Sequence, residues 1–175
     1  MPSSMEEKET AANLSKLLKH LTNACIEFIL VGGLAAVVQG APISTFDMDI
    51  VHRQTDDNIR KLLLLFKSLG ATQRRPDDKI LEPTEEDLKG EGHILLNTRF
   101  GPLDVLAYIE KGLGFDELIK DTVEINFEGN TVYVLSLETI VKLKRDLKDP
   151  KNHYRMPILE ETLHQITKGN QSKKS

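Results

Sequence analysis

Two aspartates, Asp47 and Asp49, alternate with apolar residues in the segment Ser44-Thr-Phe-Asp-Met-Asp-Ile-Val. On an extended strand, side chains at i and i+2 project from one face, so both carboxylates point the same way. Phe46, Met48 and Ile50 then point to the opposite face and are expected to bury. Two carboxylates about 6 Å apart repel by roughly 3 kcal/mol at an effective dielectric of about 20. A bound divalent cation reverses that sign. Ligands that are all oxygen suit Mg²⁺, which takes one or two carboxylates and completes its sphere with substrate phosphates and water. For an Asp-x-Asp alone, the competing reading is a solvated strand face.

Two further features weigh against that reading. Gly32-Gly33 closes the apolar run Phe28-Ile-Leu-Val and opens a short apolar helix. Glycines let a backbone approach a ligand closely, and free N–H groups at a helix start favour an anion. The pair is neither a G-x-G-x-x-G fingerprint, since Leu34, Ala35 and Ala36 follow, nor a phosphate loop ending in Gly-Lys-Ser/Thr. The second feature is Asp104, set among apolar neighbours in Gly101-Pro-Leu-Asp-Val-Leu. An acid inside such a strand calls for a partner. If its strand lies beside that of Asp47, three carboxylates cluster.

The elements that must position these residues follow from periodicity. A first helix from about Met5 carries Ala12, Leu14, Leu17, Leu18 and Leu21 on one face. Glu27 to Val31 is the first strand, Leu34 to Gln39 a short helix, and Phe46 to His52 the second strand. Thr55-Asp56-Asp57 caps a third helix that turns Ile59, Leu62, Leu63, Leu65 and Phe66 inward and closes at Gly70. Gln73 to Gly92 reads as a surface loop with one helical turn. Ile94 to Phe100 and Leu103 to Ile109 are strands, Phe115 to Lys120 a short helix, and Val123 to Phe127 with Thr131 to Leu135 a hairpin. Ser136 caps a helix to Leu147, and Pro157 interrupts or opens a last one ending near Lys168, with a frayed tail beyond. The expected fold class is α/β (α+β), a mixed sheet flanked by helices with a C-terminal helical segment.

Composition fits one domain over residues 1–175, with a core at about 24–135 and C-terminal helices at about 136–168. The 175 residues carry 23 basic and 27 acidic side chains, a net charge of −4. The pI near 5.8 argues against a protein built to coat nucleic acid. A single cysteine, Cys25, allows no intrachain disulfide and suits a reducing compartment. With a polar, acidic start and no apolar run long enough to span a bilayer, the sequence reads as cytoplasmic with no membrane contact.

Taken together, Gly32-Gly33, the run Thr45-x-Asp47-x-Asp49-Ile50 and the later strand acid Asp104 resemble the nucleotidyltransferase superfamily. That superfamily has the DNA polymerase beta-like fold and includes antibiotic adenylyltransferases and toxins of abortive-infection systems. The likeness is greatest to small stand-alone bacterial members and covers roughly Phe28 to Leu163. It implies that Asp47, Asp49 and Asp104 are metal ligands, with Asp104 also activating the attacking group. It places Gly32, Gly33, Thr45 and Lys144 at the nucleotide. The implied reaction moves a nucleoside monophosphate from an NTP to a hydroxyl on RNA, protein or a small molecule, with Mg²⁺ or Mn²⁺. Two metals about 3.5–4 Å apart can stabilise the entering and leaving oxygens together.

The sequence departs from that pattern at two places. Ile43 stands where related proteins often carry Arg, and Asn152 follows Pro150-Lys151 where they often carry Asp. These departures motivate an alternative, a catalytically weak nucleotide-binding module that serves as a toxin–antitoxin component with a protein partner. Arg53, just past the second strand, is the candidate replacement cation. Arg74-Arg75 reads as a solvated loop pair, Cys25 as a small core residue, and His52 as structural. The histidines lack zinc spacing, and no Gly-x-Ser-x-Gly elbow surrounds Ser44 or Thr45. Lys142, Lys144, Arg145, Lys148 and Lys151 form a basic stretch that fits a solvated helix face and a binding groove equally.

Overall fold

A computed structural model describes residues 4–147 and 149–174. The side chains of residues 4–12 and of Lys151 lie outside the description, as does Lys148. Helix α1 (Ser4–Asn23) leads into β1 (Phe28–Val31), α2 (Gly32–Val38) and β2 (Met48–His52). Next come α3 (Asp56–Ser68), β3 (Thr72–Gln73), α4 (Glu85–Lys89), β4 (His93–Thr98) and β5 (Gly101–Leu106). A small ribbon, β6 (Tyr108–Ile109) and β7 (Leu113–Gly114), precedes α5 (Phe115–Leu118) and the hairpin β8 (Thr122–Phe127) and β9 (Asn130–Leu135). Helices α6 (Leu137–Arg145) and α7 (Pro150–Ser172) close the chain.

The described residues form a seven-stranded mixed sheet in the order β3-β4-β5-β2-β1-β9-β8. β2 runs antiparallel to β1 and parallel to β5, so it sits between the strand that ends in the glycine pair and the strand that carries Asp104. All four residues of β1 are buried, which explains its unbroken apolar run. Leu17 and Leu21 of α1 are fully buried, each stabilising the fold by roughly 1.5–3 kcal/mol. Ile59, Leu62, Leu65 and Phe66 of α3 join the same core. The Thr55 hydroxyl accepts from Asn58 N–H and caps α3, with Asp56 and Asp57 in the first turn. Ser136 caps α6 in the same way.

Several boundaries differ from expectation, each for a local reason. β2 begins at Met48, because β1 turns into α2 at Gly32 and leaves residues before the Val31–Asp49 pair without a ladder partner on that side. Phe46 therefore lies outside the sheet and is 63% exposed, not buried. Cys25 is exposed at φ 57 in the turn between α1 and β1, so it is not a core residue. α7 runs through Pro157 and on to Ser172, beyond the expected end. Proline removes one N–H and its i−4 partner, here the carbonyl of the exposed residue His153, where water can replace the bond. No helix among the described residues is long and apolar enough to cross a membrane.

Candidate active site

The register of the sheet brings the acids together. Asp49 is paired across β2 and β5 with Asp104, and across β2 and β1 with Val31, the residue before Gly32. Cross-strand partners share a face, so both carboxylates and the glycine turn meet at one end of the sheet. Asp47 stands two residues before Asp49, just outside the ladder. One carboxylate oxygen each from Asp47, Asp49 and Asp104 lies within 4.8 Å of the others, and all three residues are half-buried.

This arrangement is electrostatically unfavourable as it stands. Burial, a hydrogen bond with Asp104 and the negative charges of Asp47 and Asp104 push the Asp49 carboxyl from 3.8 up to about 8, against an opposing pull from Lys144. A carboxyl so raised holds its proton more readily than an ordinary aspartate. Three clustered carboxylates, with oxygen as the only donor, fit a hard divalent cation.

The glycine turn is shaped to this cluster. Gly32 sits at φ +71, and a Cβ built on it would collide with the Asp49 carboxylate. A Cβ on Gly33 would stand 3.0 Å from Thr45 Oγ1 and 3.5 Å from Arg155 Nη1. The Thr45 hydroxyl lies 3.3 Å from the Asp47 carbonyl and 3.5 Å from its Oδ1. Ile43 packs partly buried against the core and lines an apolar groove of about 400 Å³ with Leu34, Val37, Thr45, Phe46 and Phe127. Among the described residues, no charged side chain lines that groove.

On the other side, α6 brings Lys144 into a cavity of about 200 Å³ shared with Gly32, Asp49 and Leu106. Lys144 Nζ donates to Asn152 Oδ1 at 3.3 Å, and Asn152 is buried. The site residues named from sequence thus meet in one region: Asp47, Asp49, Asp104, Gly32, Gly33 and Thr45 around the acids, Lys144 across the small cavity.

Other expectations are corrected. Arg53 is not a replacement cation: it pairs with Glu27 at 3.0 Å and covers the Phe115 ring. It leaves β2 at the end opposite Asp47. Arg75 pairs with Asp77 in the loop, but Arg74 is not simply solvated. Its Nη2 donates to Asp104 Oδ1 at 3.0 Å and to the Leu96 carbonyl at 3.0 Å. No local pattern announces that contact, which spans the β3–β4 connection. Arg155 is the second residue missed: its Nη2 donates to the Ser44 carbonyl at 3.2 Å from the far end of the chain. His52 is structural, 1% exposed, with both ring nitrogens on carbonyls of Leu88 and Leu106. In the basic stretch, Arg145 pairs with Glu160.

No protein-family model matches the chain, and no curated protein matches its sequence. Solved structures do match. A lincosamide antibiotic adenylyltransferase, LnuA, in its lincomycin-bound form, superposes with a TM-score of 0.58 at 16% identity, over 86% of this chain and 96% of that one. The antibiotic-resistance factor ANT(2'')-Ia gives a TM-score of 0.53 at 15% identity, over 93% and 91%. A Thermotoga maritima protein assigned to the nucleotidyltransferases, TM1012, gives 0.50 at 18% identity, over 95% and 92%. The chain shares the fold of these three structures.

Proposed function

We propose that the protein is a metal-dependent nucleotidyltransferase that moves a nucleoside monophosphate from an NTP to a hydroxyl acceptor on RNA, protein or a small molecule. The observation that supports it is the meeting of Asp47, Asp49 and Asp104 within 4.8 Å beside a glycine turn. The fold shared with a lincosamide antibiotic adenylyltransferase and an antibiotic-resistance factor points the same way.

In this reading Asp47, Asp49 and Asp104 hold Mg²⁺ or Mn²⁺. When bound, the metal polarises the α-phosphoryl group and offsets charge on the leaving oxygen. Asp49 would hold the cation in its ionised form. Asp104, held by Arg74, accepts the proton of the acceptor hydroxyl. The new bond joins the acceptor oxygen to the α-phosphorus, the bond from that phosphorus to the β-phosphate bridge breaks, and pyrophosphate departs. Gly32 makes room for the Asp49 carboxylate, Gly33 leaves its backbone beside Thr45 within reach of the phosphates, and Lys144 offers a cation to the nucleotide from α6. Positioning and fixed charge carry the acceleration, which three acids on a rigid sheet can supply.

The test is transfer of label. Each α-³²P NTP is incubated with the protein, Mn²⁺ or Mg²⁺ and an extract of the source cells. Label appearing in an acid-stable acceptor with wild type, and not with Asp47→Ala/Asp49→Ala, supports the reading. Equal labelling by the two proteins removes it.

A further inference from the structure

We propose that Arg155 binds the polyphosphate end of the nucleotide, forming an anion subsite with Thr45 beside Gly33; this rests on the function proposed above. Among the described residues, three cations stand at the acid cluster or at the glycine turn beside it. Arg74 is paired with Asp104. Lys144 faces Asp49 and is bonded to Asn152. Arg155 differs: among the described residues no carboxylate pairs with it, and its polar contact is the Ser44 carbonyl at 3.2 Å. One carbonyl uses one of five guanidinium donors and neutralises no charge.

The placement is specific. Arg155 lies on α7, 111 residues from Ser44, yet its Nη1 stands 3.5 Å from where a side chain on Gly33 would begin. Thr45 Oγ1 borders the same point at 3.0 Å. The half-buried guanidinium lies beside the glycine turn at Gly33. The loop itself, Ala41-Pro-Ile-Ser-Thr-Phe46, brings no cation, and Ile43 points into the apolar groove. A planar fork with unused donors suits a phosphate, which accepts two of them at once. A merely structural tie to Ser44 needs only one neutral donor, so the two roles separate by substitution.

Arg155→Gln keeps a donor for the Ser44 carbonyl and drops the charge; Arg155→Lys keeps the charge and drops the fork. Affinities of wild type and both variants are measured by calorimetry in Mn²⁺ for inorganic tripolyphosphate, the NTPs and the matching NMPs. Arg155→Gln is expected to bind tripolyphosphate and NTP about tenfold more weakly or worse, with NMP affinity changed less than about threefold, and Arg155→Lys falls between. NTP affinity within about threefold of wild type in Arg155→Gln overturns the subsite. So does an equal loss for NTP and NMP, which marks a structural role. If wild type binds no NTP, the proposed function fails and the subsite with it. If wild type binds and Arg155→Gln matches it, the subsite alone fails.

Discussion

The Asp49 carboxylate occupies the space that a side chain on Gly32 would need. The pairing of Val31 with Asp49 forces that proximity, since the chain must turn away at the next residue. Gly32 meets the turn with φ +71, a conformation that costs an L-residue about 1 kcal/mol or more.

Gly32→Ala is expected to lower the melting temperature and to weaken Mn²⁺ binding at least tenfold, because its methyl group must displace a metal ligand. Gly33→Ala meets Thr45 Oγ1 at 3.0 Å, a contact that a small shift relieves, and should retain metal binding. Thermal melts with and without Mn²⁺ on both variants check the contrast.

Stability of the metal-free protein should fall as pH rises from about 4 to about 8. Asp49 has its carboxyl raised from 3.8 to about 8 in the fold. Below that window both states hold the proton; within it the folded state keeps a proton that the unfolded chain has released. The contribution is complete at low pH and lost as the folded carboxyl ionises. Metal affinity moves the opposite way, rising with pH over the same range because loading expels the proton. Denaturant melts across pH should show the Asp49 share of the slope, absent in Asp49→Asn.

Arg74 is a counter-ion for Asp104 in the metal-free site. Arg74→Ala removes a partly exposed ion pair, worth under about 1 kcal/mol of stability. It also removes a positive charge near the metal position, so Mn²⁺ affinity should rise roughly fivefold to tenfold. Calorimetric titration of Mn²⁺ into the variant reads this, and unchanged or weaker binding contradicts it.

Lys144 works on Asp49 in the favourable direction, holding its carboxyl lower than it would otherwise stand. Lys144→Met should raise Asp49 further and move the pH at which Mn²⁺ loads upward. A pH series of Mn²⁺ titrations on wild type and variant shows the displacement or its absence.

The acids and glycines could be found in the sequence because local rules govern them. An acid inside Leu103-Asp-Val-Leu106 is conspicuous, and strand alternation sets Asp47 and Asp49 on one side. Capping by Thr55 and Ser136 is equally local. What escaped depends on contacts between distant segments. Arg74 and Arg155 look like ordinary surface cations until the β3–β4 pairing and the packing of α7 bring them to the site. Phe46 alternates correctly with Met48 and Ile50, yet the ladder ends before reaching it. Cys25 has the composition of a core residue but sits in a left-handed turn.

The most direct test of the account is an anomalous difference map from crystals grown with Mn²⁺ and a non-hydrolysable NTP. The account predicts a metal peak bonded at about 2 Å to oxygens of Asp47, Asp49 and Asp104, with the nucleotide phosphates completing its sphere. A map in which Mn²⁺ and nucleotide bind elsewhere, while these three carboxylates touch only protein and water, would contradict it.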